Sequence, residues 1–129
     1  MSDDFQVSAI GQIHIGVKDI QRAVAFYRDV LGMPLLFEVP EQQMAFFDCG
    51  GIRLYLSADQ MEEFPSNPLI YYQVSDINEA YKVISAAGVK FEREPHIVHS
   101  THEYDLWMAG FRDTEDNFIH LMNEAPKSS

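Results

Sequence analysis

Two histidines of this sequence occupy positions from which an imidazole could do chemistry. His14 shares one side of a strand-like alternation with Gln12, and His120 shares one with Met122. Because successive side chains of a strand point to opposite faces, His14 is predicted to lie on the face opposite Ile13 and Ile15. In the same way, His120 is predicted to lie opposite Ile119 and Leu121. An imidazole titrates near neutral pH and serves as a general base or as a metal ligand. His14 and His120 are therefore the catalytic candidates, and they are the metal ligands if a metal is bound.

The other three histidines follow one another at intervals of three residues. His96, His99 and His102 would share one face of a helix, but Pro95 and the β-branched residues after His96 favour extended chain. Nothing in an extended segment directs the three rings towards one point. We predict that they lie at the rim of a cleft or in solvent, and a dedicated metal cluster is the alternative.

The elements that must position these side chains occur twice. Residues 17–23 and 74–80 match at Val, Asp, Ile and Ala, 57 positions apart. Two later pairs of segments keep the same order at slightly larger offsets: 44–47 with 108–111, and 52–56 with 118–122. The last of these matches pairs Leu54 with His120. The repeat predicts two similar modules in one domain spanning residues 1–129, with the modules at about 8–58 and 67–124.

Each module is predicted to be an α+β unit with the element order βαβββ. Asp19 and Asp76 are good helix N-caps, and Gly32 and Gly88 suit the ends of the helices. Segment Asp59–Pro68 links the modules and is predicted to contain one short helical turn. The predicted strands are Ile10–Val17, Leu35–Val39, Met44–Cys49, Ile52–Ser57, Leu69–Val74, a strand from Val89, Leu106–Arg112 and Asn117–Met122.

Composition excludes several classes of partner. The chain has 129 residues, 47% of them hydrophobic, and a formal net charge of −11. Such an acidic surface repels phosphate backbones and anionic lipids, so neither nucleic acid nor a membrane is expected as a partner. The single cysteine, Cys49, excludes an internal disulfide. With no leader-like N-terminus in this sequence, a cytoplasmic location is expected.

A motif around the first helix and a turn before the last strand carry a family resemblance. The turn is Phe111–Asn117, and the helix motif consists of Val17, Asp19, Ile20, Ala23, Phe26, Tyr27, Leu31 and Gly32. The sequence resembles the vicinal oxygen chelate superfamily, which includes glyoxalase I, the extradiol dioxygenases, and the bleomycin and fosfomycin resistance proteins. The resemblance implies two modules whose sheets curl around a shared cleft, with the helices on the outer face, and a homodimer.

The resemblance also implies where a metal would be held. In metal-using relatives the ligands come from one position on the first and last strand of each module, which here are Gln12, Leu54, Leu69 and His120. Only His120 is a good ligand, because a leucine cannot coordinate and an amide oxygen is a poor ligand for a transition metal. A bound divalent metal is therefore disfavoured, and the cofactor is unknown.

Strand alternation and the repeat together predict the lining of the cleft. Its surface is expected to be apolar and aromatic with a few polar groups, as in small-molecule sites. The predicted ligand-binding residues, besides His14 and His120, are Gln12, Leu54, Leu56, Leu69, Tyr71, Gln73, Met108 and Met122.

Three functions fit this sequence. The first is metal-independent binding or catalysis on a small, partly apolar organic ligand. The second is a metal-dependent lyase, isomerase or dioxygenase that uses His14, His120 and one further donor. The third is a structural or regulatory dimer whose cleft has closed. The first is preferred because Leu54 and Leu69 stand where ligands are needed.

Overall fold

The computed structural model describes Phe5, residues 9–58 and residues 68–127. The linker prediction, with its helical turn, lies at residues 59–67 and so outside the described part. In the first module the elements are β1 (Gln12–Gly16), α1 (Ile20–Ala25) with a following π-helical turn (Phe26–Val30), β2 (Leu35–Val39), a 3₁₀ turn (Pro40–Gln42), β3 (Met44–Cys49) and β4 (Ile52–Ser57). In the second they are β5 (Tyr71–Gln73), α2 (Ile77–Ala86), β6 (Phe91–Ser100), β7 (Tyr104–Arg112) and β8 (Phe118–Pro126).

Both helices begin and end where the sequence predicts. Asp19 and Asp76 are the N-caps, and each carboxylate accepts hydrogen bonds from backbone N–H groups of the first helical turn. Gly32 and Gly88 follow the helices with φ angles of 70° and 96°, a conformation that glycine adopts without steric cost. No helix in the described part of the chain is long and apolar enough to cross a membrane.

The two modules form two four-stranded sheets of the same topology. The strand orders are β1-β4-β3-β2 and β5-β8-β7-β6. In each sheet the first pair is parallel and the other two pairs are antiparallel. The sheets are open and do not close into barrels. The α+β architecture with two βαβββ modules is therefore confirmed.

One face of each sheet packs under the helices, and these faces join in a single core. Leu56 and Phe47 of the first module are fully buried, and so is Phe111 of the second. All three belong to one cluster with residues of both helices. The rings of Phe26 and Phe111 lie 6.4 Å apart and connect the first helical segment to β7. The opposite face of each sheet, here called the concave face, is left to other side chains.

Polar contacts also fix the two modules to each other. The Tyr27 hydroxyl donates a 2.8 Å hydrogen bond to a carboxylate oxygen of Asp113. The backbone N–H groups of Lys18 and Asp19 donate to the Glu115 carboxylate at 2.7 and 3.0 Å. Asp113 and Glu115 lie in the turn before β8, so this turn holds the start of α1 against the second module.

Candidate functional site

An aromatic row crosses all four strands of the first concave face. Phe37 of β2, Phe46 of β3, Tyr55 of β4 and His14 of β1 are partners in register. Consecutive ring centroids are 4.6, 4.7 and 4.8 Å apart, and the Phe46 and Tyr55 rings are inclined by only 4°. The Arg53 guanidinium lies 5.7 Å from the Phe46 centroid. Because neighbouring rings stack on one another, Phe46 lies between Phe37 and Tyr55, and the ring at the β2 end of the row, Phe37, is 46% exposed.

One end of this row contains three buried polar atoms to which the described part of the chain offers no hydrogen-bond partner. The atoms are Nε2 of His14, the Tyr55 hydroxyl oxygen and the Ser57 hydroxyl oxygen. Tyr55 and Ser57 alternate onto the same face of β4, and β4 pairs with the strand of His14. A buried polar atom without a partner costs free energy, so such atoms are few in folded proteins. Their concentration here marks this end of the row as the polar part of the candidate site.

The equivalent row of the second module has a different composition. It runs from Tyr71 of β5 through His120 of β8 and Gly110 of β7 to Arg93 of β6. The Tyr71 and His120 rings are stacked at 4.4 Å. A Cβ at Gly110 would lie 2.4 Å from the Phe118 ring, so only glycine leaves this ring in place. In this row the Phe118 ring therefore fills the place that a side chain on residue 110 would take.

A second register row lies beside it and encloses a small cavity. Gln73, Met122, Met108 and His96 follow one another across β5, β8, β7 and β6. A cavity of about 90 Å³ lies between the two rows, and all of its lining residues come from the second module. The structure thus brings together five predicted site residues: Tyr71, Gln73, Met108, His120 and Met122.

Burial affects both candidate catalytic histidines. It lowers the pKa of His14 below the ordinary value of 6.5. The pKa of His120 is lowered as well, first by burial and then by the nearby positive charge of Arg93. Both imidazoles are therefore neutral at pH 7, which is the form that accepts a proton.

The structure places Leu54 and Leu56 on the core side of β4, where they pair with Ile13 and Ile15. Leu54 also lines, with Tyr71 and Gln73, a cavity of about 400 Å³ between the modules. On the concave face of β4 the corresponding residue is Tyr55, which is in register with His14. In the second module His120 is in register with Tyr71 in the same way. The repeat match of the last strands was thus displaced by one residue, which exchanges the two faces of a strand.

The correct face could have been found in the sequence. Residues Arg53, Tyr55 and Ser57 alternate with Leu54 and Leu56, just as polar residues alternate with isoleucines in β1. The alternation that predicts Ile13 and Ile15 on the core side of β1 therefore also predicts Leu54 and Leu56 on the core side of β4. Tyr55, Ser57 and the rings of Phe37 and Phe46 are thus site residues that sequence analysis missed, and so is Arg93.

The remaining predicted residues lie at the margins. Gln12 is exposed at the start of β1, and Leu69, two residues before β5, has 66% of its surface exposed. His96 lines the small cavity, and its Nδ1 lies 2.8 Å from the Glu94 carbonyl oxygen. His99 and His102 are exposed. In residues 9–58 and 68–127, no three His, Cys, Asp or Glu side chains come together as a metal site.

The residues at the four implied ligand positions do not fit a metal ion. After the correction of register these positions hold Gln12, Tyr55, Leu69 and His120. The set contains one imidazole, one amide, one phenol and one hydrocarbon side chain, whereas catalytic zinc sites use three strong protein ligands. We therefore derive no chemistry through a metal.

Larger cavities lie along the seam between the modules. One of about 370 Å³ and one of about 400 Å³ share Cys49, Tyr72 and Gln73 in their linings. Burial, and to a smaller extent Asp48, raises the pKa of the Cys49 thiol, so the thiol stays protonated. The walls are mainly the edges of the hydrophobic core. We place the site on the concave faces because each of them carries one candidate histidine beside other polar side chains.

Comparison with known proteins agrees with this architecture. Residues 9–121 match the model of the Glyoxalase/Bleomycin resistance protein/Dioxygenase superfamily. The chain belongs to this superfamily. The chain is similar in sequence to the uncharacterized protein YraH of Bacillus subtilis (strain 168), with 31% identity over 123 residues. The alignment covers 85% of this chain and 94% of YraH.

Solved structures show the superfamily fold over nearly the whole chain. The lactoylglutathione lyase of Agrobacterium tumefaciens is 23% identical with a TM-score of 0.73, covering 91% of this chain and 94% of the enzyme. The virulence protein STM3117 of Salmonella typhimurium is 20% identical with a TM-score of 0.74, covering 94% and 100%. At these identities the likeness to superfamily members establishes the fold, and function has to be argued from the site.

Proposed function

We propose that the concave faces bind a small, partly apolar organic molecule with a flat ring system, and that binding requires no metal ion. The aromatic row of Phe37, Phe46, Tyr55 and His14 is the observation that carries this proposal. A planar molecule gains stacking contacts and apolar burial against Phe37, the exposed ring at the end of the row. The Nε2 of His14 and the Tyr55 hydroxyl are buried, and we propose that they reach a polar group of the ligand when the side chains around them shift.

The donor set supports the metal-independent form of the proposal. Gln12, Tyr55, Leu69 and His120 lack the three strong ligands that a metal-dependent lyase, isomerase or dioxygenase of this fold would need. A neutral imidazole can still accept a proton. If the bound molecule is turned over, we propose His14 and His120 as the general bases.

We propose further that the protein is a homodimer. Both sheets are open, and large apolar side chains on or beside their concave faces are exposed: Phe37 to 46%, Tyr71 to 43%, Leu69 to 66% and Val98 to 46%. Exposed apolar patches of this kind commonly mark a contact with another chain. Light scattering of the purified protein tests this; a monomeric mass at micromolar concentration would contradict it.

A fragment screen tests ligand binding. Planar aromatic and matched aliphatic fragments are added to the untagged protein, and the thermal midpoint and ligand-observed NMR signals are recorded with EDTA present. Aromatic fragments should stabilise the protein and the aliphatic ones should not. Phe37→Ala should weaken binding several-fold, whereas Val83→Ala, which removes a similarly exposed apolar side chain from α2, should not. Binding that Phe37→Ala leaves unchanged would contradict the proposal.

Metal analysis of the same preparation tests the proposal that binding requires no metal ion. We expect less than stoichiometric zinc, nickel, manganese and iron, and no gain of stability when these metals are added. Stoichiometric metal that is lost in His120→Ala would overturn metal independence and favour a metal-dependent enzyme.

A further inference from the structure

The cavity on the second concave face is lined by one guanidinium and two imidazoles, although the protein as a whole is strongly acidic. The chain has 20 acidic residues against nine Lys and Arg. Yet three nitrogen-bearing side chains, Arg93, His96 and His120, line the 90 Å³ cavity. Among the described residues, no carboxylate lines it. Such a local reversal of sign attracts an anion that the rest of the surface repels.

The register explains why this group of side chains surrounds a cavity. Arg93 and His120 are both partners of Gly110, on opposite sides of β7. The space over Gly110 is filled by the Phe118 ring, whose centroid lies 4.6 Å from that of His120. His96 belongs to the neighbouring row, in register with Met108. The cavity lies where these two rows meet, with Arg93 and His120 on one side and His96 and Met108 on the other.

The size of the cavity suits one functional group. A volume of about 90 Å³ is well above the roughly 10–15 Å³ that one water molecule needs, so a small polar group fits. A carboxylate has three heavy atoms. The polar atoms available to it are the planar guanidinium of Arg93, which binds carboxylates through two parallel hydrogen bonds, and the ring nitrogens of the two histidines.

His96 is held in an orientation that leaves one ring nitrogen available. Its Nδ1 lies 2.8 Å from the Glu94 carbonyl oxygen, which can only accept a hydrogen bond, so Nδ1 carries a proton. In the neutral ring the other nitrogen, Nε2, can only accept, so the hydrogen bonds to the oxygens of an anion are expected chiefly from Arg93.

We propose that the ligand of this site is an organic anion, an aromatic carboxylate in particular, whose charged group lies against Arg93, His96 and His120. This inference rests on the proposed function for the aromatic part of the ligand. The anion subsite itself depends only on the second module. Acetate, which has no ring, therefore tests the subsite separately.

The experiment compares charged and neutral probes of the same shape. Benzoate and benzamide are titrated into the full-length protein at low ionic strength, and binding is followed by calorimetry and by the imidazole NMR signals of the five histidines. Benzoate should bind about fivefold or more tightly than benzamide, and the preference should shrink with added salt. Benzoate and acetate should shift the signals of His96 and His120, while those of His99 and His102 should stay in place.

Variants assign the preference to one side chain. Arg93→Gln should reduce the ratio to about one, and Arg93→Lys should retain part of it, since it keeps the charge and loses the bidentate geometry. Arg22→Gln, on exposed α1, removes the same charge elsewhere and should leave the ratio unchanged. Equal binding of benzoate and benzamide, or no effect of Arg93→Gln, would overturn the inference and leave the proposed function standing. If aromatic probes fail to bind while acetate still shifts His96 and His120, the proposed function fails and the anion subsite stands.

Discussion

The hydrogen bond from the Tyr27 hydroxyl to the Asp113 carboxylate joins residues that are 86 positions apart and belong to different modules. Asp113 is buried, and its carboxylate also accepts hydrogen bonds from the backbone N–H groups of Glu115 and Asn117. Burial, and next the negative charge of Asp113, raises the pKa of Tyr27, so the phenol stays protonated and donates. This single contact fixes the turn before β8 to the helical segment of the first module.

Tyr27→Phe should therefore lower the free energy of unfolding by about 1–3 kcal/mol, because it leaves a buried carboxylate oxygen without this donor. Urea denaturation of the purified variant measures the change. Tyr104→Phe serves as a control, since the hydroxyl of Tyr104 makes no hydrogen bond within the described part of the chain. Equal stability of the Tyr27→Phe variant and the parent would contradict the role given to this contact.

Tyr55→Phe is the same chemical change at a hydroxyl that is buried without a partner. Here the variant should keep or raise the free energy of unfolding, by up to about 1–3 kcal/mol, because an unsatisfied polar atom is removed. It should at the same time weaken binding of aromatic fragments that carry a hydrogen-bonding group. Denaturation and calorimetry of one preparation test both parts, and a destabilised variant with unchanged affinity would show that Tyr55 is structural.

Leu54→Ala tests the corrected register of β4. Leu54 is 2% exposed under α1, so truncation creates a cavity in the core and should cost about 2–5 kcal/mol of stability. Met122→Ala, on the concave face and only half-buried, should cost clearly less. Denaturation midpoints of the two variants decide the matter. A smaller loss for Leu54→Ala than for Met122→Ala would return Leu54 to the site.

Stability should fall when the pH is lowered from 7.5 to 5.5. His14 and His120 have pKa values below 6.5 in the folded protein, so below about pH 6.5 the unfolded chain takes up protons that the folded protein binds more weakly. The contribution of the neutral imidazoles is thus fully present above pH 6.5 and is lost as the pH falls below it. The double variant His14→Gln, His120→Gln should lose less stability over this interval in urea denaturation. An identical pH dependence in the variant and the parent would contradict the lowered pKa values.

The elements of the fold were largely predictable because their signals are local. The Asp19 and Asp76 caps, the glycines after the helices, and strands β2, β3 and β4 were all placed at their observed bounds. β7 and β8 are longer than predicted, since β8 continues to Pro126 by pairing with Tyr104 at the start of β7. That extension depends on a partner strand, and the segment itself carries no comparable signal.

The sequence by itself determined the twofold repeat, the family, the strand and helix positions, and the face of β1, β5 and β8 on which the two catalytic candidates lie. Alternation and capping involve neighbours in the chain, so they can be found without a structure. The tertiary structure decided which residues meet across strands. It placed Tyr55 rather than Leu54 beside His14, joined Tyr27 to Asp113, and brought Arg93, His96 and His120 to one cavity. Register is a property of two strands together, and a shift of one residue exchanges the faces of a whole strand.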